Sequence, residues 1–147
     1  MHVHAYLTFN GNCRQAMAFY QRCLGGNLTV QTVGESPLSA AMSARMKNCV
    51  VQAILQSEAF VLIGSDMVPE SGLIKGNAVS LALQCHSEKR TRAVFKKLSA
   101  RGHVSSPLHH TRMGFLLGAV TDQFGHHWLL TDGKPLAQRP DERKFVV

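Results

Sequence analysis

Residues 3–26, VHAYLTFNGNCRQAMAFYQRCLGG, decide the fold. Val3, Ala5, Leu7 and Phe9 alternate with His4, Tyr6 and Thr8, the period-two pattern of a strand that buries one face. Asn10-Gly11-Asn12 breaks that strand and leaves Asn12 placed to cap a helix. Ala16, Met17, Phe19, Tyr20, Cys23 and Leu24 then recur at the three-to-four spacing of a helical apolar stripe. Gly25-Gly26 ends the helix, because glycine takes left-handed backbone without a Cβ penalty.

Working outward, the pattern predicts strands over 28–33, 49–56 and 60–64, with a polar loop at 35–47, so the first half reads βαβββ. The second half repeats the order. A strand is expected over 78–85, and Ser87 can cap a helix whose apolar positions include Val94, Phe95 and Leu98. Arg101-Gly102 closes it, and further strands follow at 104–108, 115–121 and 128–131, the first weakened by Pro107. This predicts one domain over 1–134, made of module one (1–66), a loop (67–77) and module two (78–134), followed by a C-terminal tail at 135–147.

The chain has 147 residues, 45% apolar and 17% charged, enough hydrophobic surface for a packed core without staples. No apolar run approaches the roughly 20 residues that span a bilayer, and the start has no basic segment followed by a long apolar one. A cytoplasmic protein away from membranes is expected. Cys13, Cys23, Cys49 and Cys85 show no CxxC spacing and sit in apolar settings, which fits reduced core thiols. GxSxG, HExxH, P-loop and GxGxxG motifs do not occur, and Ser65-Asp66 reads as a strand end and turn, not an activated serine.

Several strings, in order, resemble the vicinal oxygen chelate superfamily of glyoxalases, bleomycin-resistance proteins and dioxygenases, and within it the PhnB-like branch. They are Ala5 to Cys13, Ala16 to Tyr20, Leu24-Gly25-Gly26, Gly64-Ser65-Asp66, and Thr121-Asp122-Gln123-Phe124-Gly125 followed by Trp128, together spanning most of the chain. The resemblance implies an α+β fold of two βαβββ modules forming curved mixed sheets (glyoxalase-like half-barrels), with helices on the convex side and one small-molecule pocket on the concave side. It also implies a homodimer, often with modules paired or exchanged between chains. A demethylubiquinone methyltransferase name is attached to this branch, yet no glycine-rich loop of the methyl-donor kind follows the first strand.

Metal-dependent members of the superfamily carry His or Glu ligands at four strand positions. Counting back from Phe19-Tyr20 without gaps puts Ala5 at the first; matching the apolar alternation puts His4 there, which is the better fit. The others fall on Gln52, Ser80 and Leu129, the last where the metalloenzymes have Glu. One imidazole, one amide, one hydroxyl and one hydrocarbon are not the donor set of a catalytic divalent metal, so neither metal nor other cofactor is expected. The eight histidines keep a rival open, a His4/His127 pair meeting in the cavity, against the plainer reading that histidines occupy strand and hairpin ends and loops such as His109-His110.

The resemblance places the ligand pocket among inward strand positions: His4, Tyr6, Gln52, Ile54, Ser80, Ala82, Met113, Phe115, His127 and Leu129. This composition suits a small organic ligand with one or two hydrogen-bonding groups, unless the same residues simply fill a closed core. Met113 stands where PhnB-like chains commonly have Trp. The expected function is a metal-free small-molecule binding protein or cryptic enzyme, with a metal-dependent lyase, dioxygenase or transferase as the alternative. Lys89, Arg90, Arg92, Lys96, Lys97 and Arg101 crowd the second helix, but a solvated helix face accounts for them, and nucleic acid is not the expected partner.

Overall fold

A computed structural model describes residues 1–133; the expected tail lies outside the described residues. The chain forms two compact units, one over Met1–Lys75 and one beginning at Gly76.

In the first unit the order is β1 (Ala5–Thr8), α1 (Cys13–Leu24), β2 (Asn27–Thr32), α2 (Ala44–Lys47), β3 (Val50–Gln56) and β4 (Val61–Ser65). The strands make one mixed sheet in the order β1-β4-β3-β2, with β1 and β4 parallel and the other pairs antiparallel. Helix α1 covers one face, and Gly64 shows why that position is glycine. A Cβ there would stand 2.8 Å from the Met17 sulfur and 3.0 Å from the Cys13 sulfur. Leu7, Phe9, Met17, Tyr20, Leu55 and Leu62 are buried on this side. The alternation read from sequence therefore points Leu7 and Phe9 inward as expected, while Tyr6 is 57% exposed and Val3 93% exposed beyond the strand.

The second unit repeats the arrangement with β5 (Leu81–Gln84), α3 (Glu88–Leu98), β6 (His103–His110), β7 (Leu116–Thr121) and β8 (His127–Thr131), in the order β5-β8-β7-β6. Here Gly118 admits α3, since a Cβ would meet the Phe95 ring at 2.8 Å. Val94, Leu98, Leu116, Val120, Trp128 and Leu130 form the core. The duplication extends to hydrogen bonds. Phe9 N–H donates to the Ser65 carbonyl at 2.8 Å and Cys85 N–H to the Thr131 carbonyl at 2.8 Å. The Ser65 hydroxyl donates to the Val51 carbonyl, and the Thr131 hydroxyl to the Leu116 carbonyl. Asp66 accepts from Val50 N–H, and Asp132 from Leu116 N–H.

Several expectations need correction. The segment expected as a loop at 35–47 holds two 3-10 turns, Val33–Glu35 and Pro37–Ala41, and then α2, started by the Ser43 hydroxyl accepting from Met46 N–H. The strand expected over 78–85 is only Leu81–Gln84, because β8 begins at His127 and offers no rung to Ala78 or Val79. The segment at 104–108 is a full strand, His103–His110, despite Pro107. Strand β6 lies at the sheet edge, where a missing N–H forfeits no ladder bond, and the register shifts between Ser106 and His109. His109 and His110 thus belong to a strand, not a loop. At the end of α3 it is Arg101 that takes left-handed backbone, φ 58. Gly102 answers a different need, close approach, since a Cβ there would lie 2.4 Å from the Thr121 carbonyl oxygen.

Candidate functional site

Asn12 occupies the cap position of α1 but makes no side-chain cap bond. The cap comes from Asp66, whose Oδ1 accepts from Gly11 N–H at 2.9 Å and Cys13 N–H at 3.0 Å while Oδ2 accepts from Val50 N–H at 2.9 Å. A carboxylate at a helix N-terminus is stabilised by the donors and by the helix dipole. Asp66 therefore ties the β1–α1 turn to the start of β3 and the end of β4. Sequence patterning missed this because the partner is 55 residues from Gly11. Beside it, the Ser65 hydroxyl donates to the Val51 carbonyl and accepts from Met67 N–H, so it is spent on structure, in keeping with the turn expected there.

The face of the first sheet opposite α1 carries the candidate positions of this unit. Register places Tyr6, Ile63, Ile54 and Thr29 in one row across β1, β4, β3 and β2. A recess of about 460 Å³ opens at its β2–β3 side, lined by Asn27, Thr29, Ile54, Gln56, Ser57 and Glu58. Of the expected lining in this unit, Tyr6 and Ile54 share the row, and Ile54 lies in the recess. Gln52 stands on β3 two residues from Ile54, exposed and paired in register with Gln31. His4 falls just before β1, exposed, its ring stacked on His2 with centroids 6.1 Å apart. Asn27, Thr29 and Gln56 were not anticipated; the signal available was their position on the same side of adjacent strands as Ile54.

In the second unit the face opposite α3 carries Ala82 and Leu129, which are register partners, with Ala119 next across the sheet. His127 lies on this face at the start of β8. Its Nδ1 is 2.9 Å from the Thr121 hydroxyl and its Nε2 is 3.1 Å from the Gly76 carbonyl. A carbonyl only accepts, so Nε2 donates to it, and the Thr121 hydroxyl, able to donate or accept, pairs with Nδ1. Both ring nitrogens thus have a hydrogen-bond partner within the second unit. Ser80 is exposed and precedes β5; Met113 is 46% exposed in the turn before Phe115, which is half-buried.

The positions that the resemblance assigns to a metal, His4, Gln52, Ser80 and Leu129, carry imidazole, amide, hydroxyl and hydrocarbon, donors that do not suit Zn, Ni, Mn or Fe. Among the described residues, no three His, Cys, Asp or Glu side chains stand together as a metal-holding group. Among the described residues no disulfide joins the cysteines; Cys13, Cys23 and Cys85 are buried and Cys49 half-buried. Burial pushes the Cys13 thiol up to about 12, the Asp66 charge adding to it and Arg14 offsetting part. Burial likewise raises the Cys85 thiol, against a hydrogen bond from Thr91. A thiol held protonated is a poor nucleophile.

Against known proteins, the family model for 3-demethylubiquinone-9 3-methyltransferase matches residues 1–131. The chain belongs to this PhnB-like family. Protein YjdN of Escherichia coli K12 is 31% identical to this PhnB-like chain over 140 residues, covering 88% of it and 94% of the relative. The crystal structure of PA1353 from Pseudomonas aeruginosa superposes with a TM-score of 0.80 at 31% identity, over 92% of this chain and 99% of that one. At fold level alone, a Bacillus cereus PhnB protein has a TM-score of 0.71 at 22% identity, over 90% and 100% of the two chains. A glyoxalase/bleomycin resistance protein/dioxygenase family enzyme from Burkholderia phytofirmans has 0.60 at 10%, over 88% and 95%. The α+β fold of paired βαβββ units expected from sequence is thereby established, as is the PhnB-like branch.

Proposed function

We propose that this PhnB-like chain binds a small organic molecule on the helix-free faces of its sheets and does so without a transition metal. The observation that carries the proposal is Leu129: the position at which metal-dependent relatives need a carboxylate holds a hydrocarbon, flanked across the sheet by Ala82 and Ala119. An alkyl side chain donates nothing to a metal but gives apolar contact to a ligand. Ile54 plays the same part in the first unit, beside the amides of Asn27 and Gln56 and the Thr29 hydroxyl, which suit one or two hydrogen-bonding groups on an otherwise apolar molecule.

Methyl transfer, which the family description names, finds little support in the residues. The turn after β1 has one glycine, Gly11, and its N–H donates to Asp66. A methyl-donor cradle does not fit a turn whose amides are already bound inside the protein. A cytoplasmic, homodimeric protein completes the proposal; buried thiols at Cys13, Cys23 and Cys85 suit a reducing compartment.

The test is a thermal-shift screen of small aromatic and heteroaromatic compounds in the presence of EDTA, with hits measured by calorimetry. Support would be a ligand that binds under chelation and loses at least tenfold in affinity in Ile54→Arg or Leu129→Arg, with folding retained. Ligands that bind only when a divalent metal is added would overturn the metal-free reading.

A further inference from the structure

Helix α3 and the turn that follows it carry most of the chain's net charge. From Ser87 to Arg101 stand Lys89, Arg90, Arg92, Lys96, Lys97 and Arg101 against Glu88 alone, a net +5 of the chain's +7. All six cations are exposed, and Thr91, Val94 and Leu98 are the buried positions, so the basic residues share the face away from the sheet. Glu88 is already engaged, 2.8 Å from Arg92 and 3.4 Å from His110 of β6. The Arg92 hydrogen bond holds its carboxyl below the ordinary range, with His110 adding to the effect.

Duplication supplies an internal control. Helix α1 holds the corresponding place in the first unit, yet its sequence, CRQAMAFYQRCL, has two basic residues and no acidic one. Covering a sheet with an amphipathic helix in this fold therefore does not require five Lys/Arg. The excess on α3 is a separate property of that surface.

We infer that the exposed face of α3 docks on the phosphate backbone of duplex nucleic acid, without reading sequence. Lys89 to Lys97 spans roughly 12 Å of helix, a length over which each strand of a duplex advances by several nucleotides at about 3.4 Å of axial rise each. The exposed residues of α3 include no aromatic and nothing aliphatic larger than Ala93. Single-stranded binding relies on aromatic stacking, interfacial membrane binding on bulky apolar side chains, and protein interfaces on aromatic anchors, so this face favours the duplex backbone over each. It also has no Asn or Gln with which to read adenine.

The test is fluorescence polarisation of the full chain with a labelled 20-base-pair duplex across 50–300 mM KCl. The expected result is a dissociation constant in the micromolar range at 150 mM, equal for two unrelated sequences. Binding should weaken with salt at a slope of about −0.9 per phosphate contacted, near −3 or steeper. The K89Q/K96Q/K97Q variant should lose at least tenfold at 150 mM and flatten the slope by about 2.7. The R14Q/R22Q/K75Q variant, with the same loss of net charge, should lose less than threefold. Lys96→Gln alone, flattening the slope by about 0.9, serves if the triple variant unfolds. No binding at 150 mM, equal losses in both triple variants, or binding confined to phosphatidylserine vesicles would each overturn the inference.

Discussion

Replacing Asp66 with Asn removes one carboxylate oxygen and puts an NH₂ group in its place, within a site where three backbone N–H groups converge. If the amide oxygen stays on Gly11 and Cys13, the NH₂ faces Val50 N–H, donor against donor; if the amide flips, two donors lose their acceptor. Hydrogen bonds to a charged group contribute about 1.5–3 kcal/mol, and a buried donor left without a partner costs about 1–3 kcal/mol. Asp66 is 9% exposed, so water cannot fully substitute. Asp66→Asn should therefore cost about 2–3 kcal/mol, and Asp66→Ala, which abandons all three donors, about 4 kcal/mol. Urea unfolding followed by circular dichroism measures this as a lower midpoint at unchanged slope. A variant within about 0.5 kcal/mol of the parent would refute the role given to this carboxylate as the cap of α1 and clamp of β3.

Gly102→Ala places a methyl 2.4 Å from the Thr121 carbonyl oxygen and 3.1 Å from Asp122 Cα, both backbone atoms that cannot swing aside. It should lower stability by about 2–3 kcal/mol, as overpacking does, whereas a loss below about 0.5 kcal/mol would show that the approach is looser than described. Iodoacetamide at pH 8, read by peptide mass spectrometry, should label half-buried Cys49 first and leave Cys13, Cys23 and Cys85 until the protein unfolds. Because burial raises the Cys13 thiol to about 12 from 9.0, the folded chain keeps a proton that the unfolded chain loses above pH 9. The stability this confers is complete below pH 9 and declines between pH 9 and about 12, and Cys13→Ala should flatten that decline.

What could be read from sequence was what depends on local pattern. Leu7 and Phe9, the α1 stripe and the Ser87 cap all follow from periodicity or capping chemistry, and the structure has them. Contacts between distant segments could not be read. Asp66 looked like an ordinary turn residue because its partners lie 53 and 55 residues away. Pro107 looked like a strand breaker because edge position is a property of the sheet, not of the segment. The hydrogen bonds of His127 to Thr121 and to the Gly76 carbonyl could not be read either, because they depend on how β7, β8 and the segment before β5 come together. Of the positions named in the first unit, Tyr6, Gln52 and Ile54 fall on one side of the sheet, while His4 lies one residue before β1.

The central claim is that this member of the family works without a transition metal, and metal analysis of untagged protein, paired with thermal shifts against Ni(II), Zn(II), Mn(II) and Fe(II), tests it most directly. The expected result is metal far below one equivalent and no shift beyond about 1 °C, since an ion present at 100 times its dissociation constant would add about 2.7 kcal/mol. Near-stoichiometric metal, or stabilisation of several degrees by one ion, would contradict the account and make His4 and His127 the first residues to replace.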